Sequence, residues 1–162
     1  MNENALCPGL GDYLITQARN NHWSNYRLHS ACLRLPTSEY YANRTSFFGS
    51  IHIHLDHIVF VDLLYLERLT GEQYLPADVG EEWHSELAPL VEDQVRADRA
   101  LIKYCEAAKP ETLASKVSFK LLDGTQYTEG LERACASVHA PDSSSWSGAR
   151  YALGNVSGAA AA

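Results

Sequence analysis

Seven histidines occur in the chain, and three of them, His52, His54 and His57, fall within six residues of the segment SIHIHLDH. A neutral imidazole offers a nitrogen lone pair to a divalent metal, so such density invites a metal-binding reading. On a helix, at about 100° per residue, His54 and His57 share a face while His52 points elsewhere, so this stretch supplies at most two ligands to one ion. A metal site inside a helical bundle also needs ligands from a facing helix. The plainer reading makes all three histidines amphipathic side chains at a helix border, hydrogen-bonded to backbone or water. Asp62 and Glu67 lie farther along the same stretch. An Asp there can orient a ligating imidazole by accepting its second N–H, or it can pair with a Lys or Arg, which is the commoner use.

The element carrying these residues reads as a core helix from Gly49 to Thr70, apolar nearly all round in its middle and stopped by Gly71. Before it, Leu10, Leu14, Ala18, Tyr26 and Leu33 keep helical spacing and predict a first helix from Leu10 to Leu35, ended by Pro36. Trp23 and Tyr26 are read as core and rim residues of that helix. The Pro36 to Gly49 connection, with the pair Tyr40-Tyr41, reads as an ordered, packed loop. Asp78 and Glu81 have capping-box spacing ahead of Trp83, Leu87, Leu90, Val91, Val95, Leu101, Ile102 and Cys105, which predicts a third helix running to about Ala108. Its charged residues Glu92, Asp93, Arg96, Asp98 and Arg99 are assigned to a solvated face. Val117, Phe119 and Leu121 then alternate with polar residues before Asp123-Gly124, a hairpin signal over Lys116 to Thr128. A fourth helix starts near Gly130 and is broken by Pro141, three consecutive serines, Gly148 and Gly154.

The sum is an all-α four-helix bundle with a small β-hairpin between helices three and four and an irregular or truncated fourth helix. A helical-bundle domain is expected over 1–134, with an aberrant tail over 135–162. The formal charge of −7 and the absence of a basic stretch interleaved with aromatics argue against a nucleic-acid partner. No segment reaches the roughly 20 apolar residues of a membrane span, and the first residues lack a basic, then apolar leader, so a cytoplasmic location is expected. Cys7, Cys32, Cys105 and Cys135 are scattered without a C-x-x-C pair and read as reduced thiols, mostly core filler.

The segments ARNNHWSNYRLHSACLRLP, RTSFFGSIHIHLDHIVFVDLLYLERLTGE and TEGLERA resemble the DinB family of metalloenzymes. The most specific part is SFFGSIH-x-x-L-x-H followed by an apolar stretch with Asp, which places the first of three family histidine ligands at His57. His54 stands where the family does not require histidine, and Asp62 is a candidate to orient the ligand. The resemblance implies a four-helix bundle holding a divalent metal (Zn, Ni, Mn or Fe) through His57 and two histidines of an H-x-x-x-H-R-G-Q motif on the fourth helix. Relatives in this family include S-transferases that use low-molecular-weight thiols. The implied activity is therefore a metal-dependent transfer or hydrolysis acting on a small-molecule substrate.

This chain departs from the pattern where the second motif belongs, reading VHAPDSSSWSGARYAL. Read from the second base of the Val138 codon, permitted codons give FTHQTHHRGQVHAML, with every letter of the motif in order. The upstream residues Ala134 to Ser137, in the same shifted frame, continue an apolar helix. A frameshift near Arg133 or Ala134, in the gene or in its sequencing, accounts for this. His139 lies one residue before the family position and two before Pro141, so it is a weak substitute ligand. Two outcomes follow for the chain itself: a metal enzyme with an impaired site, or a metal-free, non-catalytic bundle. A shortened fourth helix leaves apolar faces uncovered, which favours self-association, for instance as a homodimer.

Overall fold

The computed structural model describes residues 9–45, 48–76, 83–120, 125–131 and 133–135. Three long helices carry the fold: α1 (Leu10–Cys32), α3 (Ile51–Thr70) and α4 (Leu87–Ala107). Two one-turn helices, α2 (Thr37–Tyr40) and α5 (Pro110–Leu113), and a hairpin of β1 (Lys116–Lys120) with β2 (Gln126–Gly130) connect them. Leu131 and Arg133 to Cys135 are helical, and the chain beyond lies outside the described residues, as does Cys7. The fold is thus mainly α with one late hairpin. Among the described residues no helix is long and apolar enough to cross a membrane.

The core helix has the limits its termini dictate. Ser50 caps α3 by accepting the Ile53 N–H on its hydroxyl at 3.2 Å, and Gly71 closes it with φ +73°, a left-handed conformation that suits glycine. Val59, Leu63 and Leu66 are wholly buried and share one core cluster with Leu14 and Ala18 of α1 and Leu90, Ala97 and Leu101 of α4. Burying each such leucine stabilises the fold by about 1.5–3 kcal/mol. Contacts fix the directions. Arg19 meets Glu106 and Asn25 meets Asp98, so α1 and α4 run antiparallel. Asp56 meets His84, just before α4, and Asp62 meets Gln94, so α3 and α4 run the same way.

Several expectations are corrected. Helix one ends at Cys32, and its buried face is Leu14, Ala18, Asn25, His29 and Cys32. Tyr26 is 65% exposed, Leu33 60% and Trp23 55%, so the expected apolar face holds at Leu14 and Ala18 and fails at Tyr26 and Leu33. The physical reason is that part of the inner face is polar, because Asn25 is needed as a donor to Asp98. The connection after Pro36 contains a helical turn, α2, whose Tyr40 is buried while Tyr41 is exposed. Helix α4 starts at Leu87, with Trp83 and His84 outside it; Asp78 and Glu81 lie outside the described residues. Asp98 is buried, not part of a solvated face, whereas Glu92, Arg96 and Arg99 are exposed.

The hairpin matches its alternating pattern, with Phe119 opposite Tyr127 and Ser118 opposite Thr128. The turn residues Asp123 and Gly124 lie outside the described residues. Cys32, Cys105 and Cys135 are buried in the core cluster, in line with their reading as core residues.

Candidate metal centre

His57 and His54 sit three residues apart near the start of α3 and flank one aromatic ring. The His57 ring lies 4.4 Å from the Phe48 ring, tilted by 33°, and the His54 ring meets the same Phe48 edge-on at 4.9 Å. The shared face expected from helical spacing is therefore present. Burial lowers the pKa of His57, its neighbour His54 lowers it further, and Asp56 opposes them. A neutral imidazole results, the form that ligates a metal. The Nδ1 of His54 lies 2.8 Å from the Ser50 carbonyl oxygen. Donating there leaves Nε2 of His54 as its ligating nitrogen.

The third histidine of the cluster has another use. His52 is buried, with Nδ1 3.1 Å from the Tyr40 hydroxyl, and both rings pack against Tyr41. It joins α2 to α3. Asp56, adjacent to His57, is buried and committed to the chain entering α4. It accepts the Trp83 N–H at 2.9 Å and the His84 N–H at 3.2 Å, and lies 2.6 Å from His84 Nδ1. The other nitrogen of His84 is 3.0 Å from Asp93, which pairs with Arg96 at 2.8 Å. This ladder of side chains clamps the α3 start, and with it His57, to the beginning of α4.

Asp62 is buried and receives the Gln94 side-chain N–H at 2.7 Å. Gln94 also reaches Asp98, at 3.3 Å, which collects Asn25 at 2.9 Å, Asn21 at 3.3 Å and His22 at 3.1 Å. Sequence reasoning missed this polar layer across α1, α3 and α4. A signal existed, since Gln94 and Asp98 stand in the same helical register as Leu90, Ala97 and Leu101, and Asn25 in that of Ala18 and Cys32.

Among the described residues, no group of three or more His, Cys, Asp or Glu side chains is arranged to hold a metal ion. His57 and His54 offer two imidazoles, Asp56 is taken by His84, and His139 lies outside the described residues. The described residues therefore do not complete the three-nitrogen site that the resemblance implies.

Comparison with known proteins gave one family. The DinB family model matches residues 1–129, most of the chain, and the match includes all of α1 to α5 and the His57 segment. No curated protein and no solved structure matches the chain. With the matched region spanning well over half its length and ending just before the fourth helix, the chain belongs to the DinB family.

Proposed function

We propose that this chain derives from a metal-dependent DinB enzyme, acting as a thiol S-transferase or hydrolase on a small molecule, and that it keeps one family ligand, His57, in an impaired site. The observation that carries the reading is the contrast between the two halves of the site. The α3 half is built and held: His57 is neutral, half-buried, stacked on Phe48 and fixed by the Asp56–His84 clamp. The other half should come from an i, i+4 pair on the fourth helix, but after His84 the sequence contains His139 as its sole histidine. A single histidine cannot supply two nitrogens from one helical face.

The end of the family match at residue 129 and the motif in the neighbouring reading frame support a frameshift as the cause. Two or fewer imidazoles leave a divalent ion bound weakly and exchangeably. Restoring the shifted frame from Ala134 onward gives a direct test. The restored protein is expected to bind one divalent ion per chain in a His57-dependent way, and the chain as it stands is not. Equal binding by both would overturn the proposal. Coding nucleotides incompatible with H-Q-T-H-H-R-G-Q in the second frame would remove the frameshift.

A further inference from the structure

The polar layer in the bundle core has a feature outside the metal centre. Asp98 is surrounded by donors: the amides of Asn21, Asn25 and Gln94 on one oxygen and His22 on the other. Both of its oxygens therefore have hydrogen-bond partners. Asp62 is different. Its one side-chain donor among the described residues is the Gln94 amide nitrogen, and it is 6% exposed. The Gln94 amide oxygen is buried with no hydrogen-bond partner among the described residues, although Gln94 is wholly buried. An orphaned buried carbonyl costs about 1–3 kcal/mol unless a donor meets it.

A primary amide presents a donor and an acceptor side by side, and a protonated carboxyl group presents an acceptor and a donor in the complementary order. We propose that Asp62 is held as the neutral acid and closes a two-hydrogen-bond ring with Gln94, its O–H donating to the orphaned amide oxygen, so that α3 and α4 are joined by a pH-sensitive latch. The titratable groups around it are Asp98 on α4 and, beyond Asp98, His22 and His29 on α1. His22, on the rim, pairs with Asp98. Burial lowers the pKa of His29, with Asp98 opposing, so His29 stays neutral and gives Asp62 no countercharge.

The electrostatics agree with the geometry. Burial raises the Asp62 pKa from 3.8 to about 8, the Gln94 hydrogen bond opposes the rise, and the Asp98 charge adds to it. A group whose pKa is raised on folding contributes stability that is complete below its unfolded value and is lost as pH climbs through the folded one. The latch is therefore intact in acid and loses its advantage progressively between about pH 4 and pH 8. In that window one fewer proton is bound on unfolding, and the unfolding constant grows up to tenfold per pH unit.

Asp62→Asn tests this, because an asparagine reproduces the ring as an amide pair without a titrating group. Urea unfolding from pH 5 to pH 8 is expected to show a wild-type unfolding constant rising by up to tenfold per pH unit relative to that of the Asp62→Asn chain. Infrared difference spectra at pH 6 should show a protonated carboxyl C=O band in the wild type that is missing from the variant. Parallel pH profiles, or a wild-type spectrum without that band, would overturn the latch. So would an Asp62→Asn chain that does not fold at pH 6, since the neutral acid and the amide should be interchangeable there.

Discussion

Replacing Asp56 by Ala removes a side chain that ties the start of α3 to the entry of α4. Asp56 is 4% exposed and accepts two backbone N–H groups, from Trp83 and His84, besides facing His84 Nδ1 at 2.6 Å. Hydrogen bonds to a carboxylate contribute about 1.5–3 kcal/mol each, and truncation leaves the buried donors of Trp83 and His84 without their acceptor, at about 1–3 kcal/mol per group. These terms overlap, so we expect a loss of roughly 4 kcal/mol, a large share of the 5–15 kcal/mol typical of a domain. That corresponds to a fall in Tm of roughly 10–15 °C for a chain of this size. Asp56→Asn keeps one carbonyl acceptor and should lose about half as much. Urea denaturation followed by circular dichroism at pH 7 measures both, and a cycle with His84→Ala isolates the pair, with an expected coupling of at least about 1 kcal/mol. A loss under about 1 kcal/mol for Asp56→Ala, or additive single and double variants, would refute the clamp.

Other substitutions probe the frame around it. Leu63→Ala, at a wholly buried α3 position, should cost about 3 kcal/mol through lost burial and the cavity left behind, read as a lower urea midpoint with an unchanged slope. Gly71→Ala should cost about 1 kcal/mol, because φ is +73° at that helix end although no neighbouring atom lies within 4 Å of the added methyl; thermal melts that coincide with the wild type would contradict this.

Where sequence and structure agree, the determinants are local. The end of α3 follows from Gly71, the strands from alternation across Val117 and Phe119, and the shared face of His54 and His57 from helical spacing alone. Where they differ, the determinants are distant in sequence. Helix α4 starts later than its apolar spacing implies because Asp56, in another helix, takes the N–H groups of Trp83 and His84. The later half of the inner face of α1 departs from its apolar spacing because Asn25 and His29 occupy core positions near Asp98, a requirement invisible to hydrophobic periodicity. Asp98 was read as a surface charge for the same reason. The short helices α2 and α5 follow Pro36 and begin at Pro110, whose restricted φ favours a first turn that polar composition obscures. Of the candidate site, the shared face of His54 and His57 was legible from helical spacing, whereas no group of three or more metal-ligating side chains forms among the described residues.

The central claim is that His57 is a built ligand position without its companions. Calorimetric titration of the purified chain with Zn(II) and with Ni(II), beside its His57→Ala variant, tests that most directly. Weak binding without defined stoichiometry, little changed by His57→Ala, is the expected result. One tightly bound ion per chain, abolished by His57→Ala, would show a complete site and contradict the account.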